Sequence, residues 1–172
     1  MKRTLALLVL AGPLMAAAPL LGVAADSPDA AFYKKAAEGG LAEVDAGNLA
    51  QQKSNNAKVK DFGAMMVKDH TAANDKLKSL AASKNITLPS SPSVGQMAEK
   101  AKLDVLSGDT FDKSYIRGQV KDHEDTIALF KKEVASGEDA DAKAFATATL
   151  PTLQHHLKAI RAIAAESGVS AK

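Results

Sequence analysis

Apolar residues recur at alternating steps of three and four along four long stretches of this chain, while runs of strand formers are absent. The third long stretch is the clearest. Asp112, Ile116, Val120, His123, Ile127, Phe130 and Val134 fall on one stripe of a helix. The second carries Val59, Phe62, Met66, His70, Ala73, Leu77 and Leu80 in the same way. Phe32, Ala36, Gly39, Glu43, Ala46 and Ala50 make the stripe of the first. Thr149, Leu153, His156, Ile160 and Ile163 make that of the fourth. A chain with four such stripes must bury them against one another, which predicts an all-α fold built as a four-helix bundle.

The breaks between stripes set the connectivity. Ser27-Pro28 predicts a helix start, with a serine cap ahead of proline at the first helical position; the helix runs to about Lys53. The polar Ser54-Asn55-Asn56 follows, and the second helix spans about Asn56 to Ser83. Pro89 and Pro92 interrupt the next segment, after which Ser93 and Gln96 form a capping box for a short helix ending near Ser107-Gly108. Asp109 or Thr110 is the expected cap of the third long helix, which ends near Ser136-Gly137. Asp139 caps the fourth, which runs to Glu166 with an expected kink at Pro151. Two links are short and predict antiparallel hairpins. The middle link is long enough to traverse the bundle, so the second and third long helices are expected to run parallel. A single long crossover is the ferritin-like arrangement; simple up-down connectivity, with the short helix as an end cap, is the alternative.

Residues 1–25 read as a secretory signal peptide rather than as part of the fold. Lys2 and Arg3 precede a short apolar stretch broken by Pro13, and Val23-Ala24-Ala25 supplies small residues for cleavage after Ala25. The bundle is then expected over 26–172, as an exported, periplasmic or envelope protein. No second candidate for a membrane span follows. Loss of Lys2 and Arg3 leaves basic and acidic residues equal at 20 each. Neither that balance nor the distribution of charge suits a nucleic-acid binder. Cysteine is absent, so packing rather than disulfides must stabilise the domain.

Each long helix therefore carries an ionisable residue on its inner stripe: Glu43, His70, His123 and His156 in turn. Asp69 lies at the edge of the second stripe, Asp112 near one end of the third, and His155 turns toward the surface. Burying such groups without partners is costly, so convergence at one level is the economical arrangement. One glutamate and three histidines are also a competent ligand set for a divalent transition metal. Asp69 and Asp112 are then further ligands, or outer partners that orient an imidazole. The competing reading is a metal-free core in which the same groups hydrogen-bond to one another.

Other chemistries are disfavoured. A di-iron carboxylate centre needs Glu-x-x-His on two helices, but the residues three before His70, His123 and His156 are Val67, Val120 and Leu153. Covalent haem attachment requires cysteine, and no hydrolase signature is present. An enzymatic role is left open; it would need a free coordination position and a substrate route.

The stretches AAEGGLAEVDAGNLA (36–50), VKDFGAMMVKDH (59–70), FDKSYI with VKDH (111–116 and 120–123) and LPTLQHHL (150–157) resemble a family of exported bacterial proteins, domain-of-unknown-function family 4142. Members are often labelled outer membrane proteins. The resemblance implies a ferritin-like bundle in the cell envelope and supplies no activity. Its recurring positions correspond to Glu43, Asp69, His70, Asp112, His123 and His156. The outer-membrane label fits poorly, since neither barrel strands nor a span in the mature chain is visible.

Overall fold

The computed structural model describes residues 28–170, which form five helices and no strand. They are α1 (Pro28–Lys53), α2 (Ala57–Ser83), α3 (Val94–Asp104), α4 (Gly108–Ser136) and α5 (Ala140–Glu166). The leader, its cleavage point after Ala25 and the Ser27 cap lie outside the described residues.

Local chemistry accounts for most boundaries. The Asn56 side chain accepts from the Lys58 N–H to start α2. Ser93 and Gln96 make the complete capping box of α3. Asp139 accepts from the Asp141 and Ala142 N–H groups at the head of α5. The start of α4 differs from expectation. Ser107 is the cap residue, without a side-chain hydrogen bond, and Asp109 lies in the first turn. A carboxylate there favours the helix through the dipole rather than through a cap bond. α5 continues through Pro151.

Contacts at the helix ends fix the topology. Asp29, at the start of α1, accepts from the backbone N–H groups of Glu138 and Asp139 beyond the end of α4, so α1 and α4 are antiparallel. Lys84, at the end of α2, pairs with Asp139 and Asp141 at the start of α5, each at 2.9 Å. Lys58, at the start of α2, pairs with Glu166 at the end of α5. The ends of α2 and α4 therefore share one pole of the bundle, and their starts share the other. α2 and α4 run parallel, and the link from 84 to 107 climbs the full length of the domain, about 40 Å for helices of this size. This is the long-crossover connectivity, with α3 carried on the climb against α1 and α4.

The apolar core divides into two clusters along the axis. One is built around Val59, Phe62, Met66, Phe111, Tyr115, Ile116 and Ile160. The other is built around Phe32, Tyr33, Leu77, Phe130, Ala146 and Leu153. The α1–α2 hairpin is drawn tight by Gly47 and Gly63. A Cβ on either would lie 2.7 Å from the other's carbonyl oxygen, so only glycine permits this crossing.

Candidate metal centre

Between the two apolar clusters lies a layer of imidazoles. His70 comes from α2, His123 from α4 and His156 from α5, with exposures of 7%, 1% and 1%. One ring nitrogen from each lies within 4.8 Å of the corresponding atoms of the other two. The ring centroids are 6.0 Å apart for His70–His123, and 5.5 Å for each of the other two pairs. Phe62 presents its ring to His123 and His156 from one side of the layer. Leu77, Phe130 and Leu153 close the other side around His70. The stripes place each histidine inward, and the parallel run of α2 and α4 brings all three to one height.

The outer contacts decide which ring nitrogens are free. His123 Nδ1 lies 2.8 Å from the backbone carbonyl of Gln119, one turn earlier on α4. A carbonyl only accepts, so Nδ1 carries the proton and Nε2 keeps its lone pair. His156 Nε2 lies 3.0 Å from Asp69 Oδ2. By the same logic its Nδ1 is the lone-pair nitrogen. The buried ring nitrogens without any partner are His70 Nε2, His123 Nε2 and His156 Nδ1. Burial lowers the pKa of all three rings, and that of His70 falls to about 3 under the further influence of His123 and His156. Near neutral pH the layer consists of uncharged imidazoles, the form in which histidine binds a metal.

The carboxylates divide. Asp69 reaches the layer from its edge and fixes the His156 ring. Glu43 is buried but stands outside the three-histidine group. Its Oε2 accepts from Gln119 Nε2 at 2.7 Å, and its Oε1 lies 3.9 Å from His123 Nδ1, the protonated face of that ring. Burial pushes the Glu43 carboxyl up to about 7, opposed by the Gln119 hydrogen bond. Asp112 is buried, with Oδ1 unpartnered, and lies three turns before His123 on α4, at about 16 Å along the axis. It does not join the layer. His155 is exposed on α5.

Gln119 is the participant that pattern reading passed over. It joins Glu43 through its side chain and His123 through its backbone, yet a glutamine beside an apolar stripe gives no metal-ligand signal. Its position four residues before His123 was the available clue. A cavity of about 30 Å³, room for about one water, adjoins the layer and is lined by His70 and Glu43 among others.

A helical bundle with a buried three-histidine layer, two of whose rings are held in one tautomer from outside, belongs to the class of bundles that carry a side-chain site in the core. Residues 15–163 match the family described as Domain of unknown function (DUF4142), and the chain belongs to that family. Among solved structures, the fold is similar to a putative secreted protein DUF305 from Streptomyces coelicolor. The TM-score is 0.73 at 17% sequence identity, covering 87% of this chain and 99% of that one. That likeness concerns the fold alone. No curated protein matches the sequence.

Proposed function

We infer that the protein is an exported bundle, released by cleavage after Ala25, that binds one divalent transition metal through His70 Nε2, His123 Nε2 and His156 Nδ1. The observation that carries this reading is the set of unpartnered nitrogens. Three buried imidazoles from three helices leave one ring nitrogen each without a hydrogen bond, and in two of them the outer contact makes that nitrogen the lone-pair atom. A metal-free hydrogen-bonded core is the poorer account. It would need a donor for each lone pair, and His123 Nε2 and His156 Nδ1 are both acceptors, with no ring-to-ring hydrogen bond among the contacts of the described residues.

The donor set suits zinc or copper(II). All three donors are neutral imidazoles, and thiolate is lacking. Three protein ligands leave a fourth position for water. Asp69 acts on the metal through His156, and the Gln119 carbonyl through His123. Glu43 remains behind His123, and Asp112 lies three turns away on α4. A periplasmic or envelope location is the setting that the leader sequence supports. No described helix is long and apolar enough to cross a membrane.

Metal content decides the matter. Purified mature protein, stripped and then reconstituted with zinc, copper, iron or manganese, is expected to hold one equivalent of zinc or copper by elemental analysis. His123→Ala is expected to hold none while keeping its helical circular dichroism. If the wild type retains no stoichiometric metal after dialysis under any of the four, the reading is wrong.

A further inference from the structure

A second cavity lies away from the histidine layer, in the groove between α1, α4 and the crossover helix α3. Its volume is about 860 Å³, within the range of small-molecule sites. The groove follows from how α3 is held. That helix has no buried residue, and Val94 and Val105 remain 80% and 84% exposed, so it roofs the space without filling it. Small side chains on α1, Ala42 and Ala46, keep the wall shallow, and Leu103 adds an apolar surface from the roof.

Of the polar residues that line the groove on the bundle side, three are buried. Glu43, Tyr115 and Gln119 are 7%, 1% and 3% exposed. Glu43 and Gln119 bond to each other, but Gln119 Oε1 and Tyr115 Oη have no partner. Buried polar atoms are ordinarily satisfied, so two neighbouring exceptions one helical turn apart point to a missing group. The amide oxygen can only accept, and the phenol can accept or donate. The complement is a head that donates a hydrogen bond. Glu43, when ionised, and Asp122 oppose an anionic head at this place. The rim charges are mixed: Lys121 pairs with Asp125 and Lys102 with Glu99, and Lys35, Lys100, Glu38 and Asp45 also line the groove.

We propose that this groove is a binding site for a small amphipathic molecule with an apolar body and a hydrogen-bond-donating head, an alcohol or primary amine, received by Gln119 and Tyr115. None of the three histidines lines the groove, and its link to their layer is Gln119, whose backbone carbonyl meets His123.

Three matched probes test it: 4-phenylbutan-1-ol, 4-phenylbutylamine and 4-phenylbutyrate, titrated into metal-free mature protein with amide chemical shifts as the readout. The alcohol and the amine are expected to saturate at one equivalent, with shifts on α1, α3 and α4. The butyrate is expected to bind at least tenfold more weakly. Ala42→Phe, which fills the wall, is expected to abolish binding while the thermal transition and metal stoichiometry stay as in wild type. Gln119→Leu is expected to weaken the alcohol about tenfold, and Tyr115→Phe provides the same test if the leucine variant fails to fold. Equal binding of all three probes, lack of saturation, or indifference to Ala42→Phe would overturn the proposal. So would amide shifts in the groove that change on protein dilution, because a second copy of the chain would then be the occupant.

Discussion

The tautomers of His123 and His156 are set by single contacts, one to a backbone carbonyl and the other to a side chain that substitution can remove. Asp69 is the accessible one, since its side chain is 30% exposed and its replacement leaves the core packing intact. Asp69→Asn keeps the shape but loses the carboxylate that orients His156. Metal affinity is expected to fall about 10–100-fold with the fold preserved, as measured by competition with a chromophoric chelator. An unchanged affinity would remove Asp69 from the account.

Protonation at the same residues gives the metal-free protein a defined pH response. Histidines in the unfolded chain take up protons near pH 6.5, whereas His70 resists until about 3, and His123 and His156 are also lowered. Below 6.5 the unfolded state therefore binds more protons, and stability declines as pH falls. Glu43 and Glu133 act in the opposite sense. Burial pushes both up to about 7, with Asp29 contributing at Glu133. They stay protonated in the native state where the unfolded chain ionises, so their contribution is lost as pH rises from about 4.5 through 7. Urea midpoints across pH 4 to 9 are expected to show both limbs. Glu43→Gln is expected to flatten the decline toward pH 7 and to steepen the acid limb, because between about 4.5 and 6.5 the glutamate and histidine contributions oppose each other.

Among the elements, the α1–α2 hairpin depends on its glycines. Gly47→Ala places a methyl against the Gly63 carbonyl and Val67, where neither backbone has room to move. Overpacking of this kind costs about 1–3 kcal/mol, and a lowered melting temperature with unchanged helicity is the expected result. α3 behaves differently. It buries no side chain, so Ser93→Ala is expected to fray it locally by about 1 kcal/mol. Hydrogen exchange should quicken at 94–104 while the global unfolding transition stays where it is. The contrast follows from burial: one element is held by packing, the other by its cap and a few contacts such as Lys53 with Asp104.

For the molecule as a whole, a metal that binds only the native state adds to its stability by mass action. At a free concentration one hundred times the dissociation constant, the gain is about 2.7 kcal/mol. Zinc is therefore expected to raise the melting temperature of the wild type, and chelator to reverse the rise. His123→Ala should respond to neither. The effect should persist below pH 6.5, because burial keeps the native imidazoles unprotonated there, and weaken toward pH 3, where His70 takes up a proton. The layer joins three of the four long helices at mid-height, between the two apolar clusters, so one ion there would link both hairpins.

Much of this was written in local order. The stripe through Ile116, Val120, His123 and Ile127 predicts a helix and its buried face, and every member is buried. The capping box at Ser93 and the cap at Asp139 are likewise local chemistry. The inward turn of His70, His123 and His156 follows from helical phase alone. Phase carries no information about height, however. Glu43 and Asp112 lie on stripes as good as those of the histidines, yet one is taken up by Gln119 and the other sits three turns away. Whether three rings meet depends on the parallel run of α2 and α4 and the axial offset between hairpins. Long-range packing at the bundle poles sets both, through pairs such as Lys84 with Asp139. The choice of lone-pair nitrogen is decided later still, by Asp69 reaching across from α2 to α5. A periodic sequence dictates which face of a helix leaves water, because burial is a property of each helix by itself; which residues then touch is a property of the assembled whole.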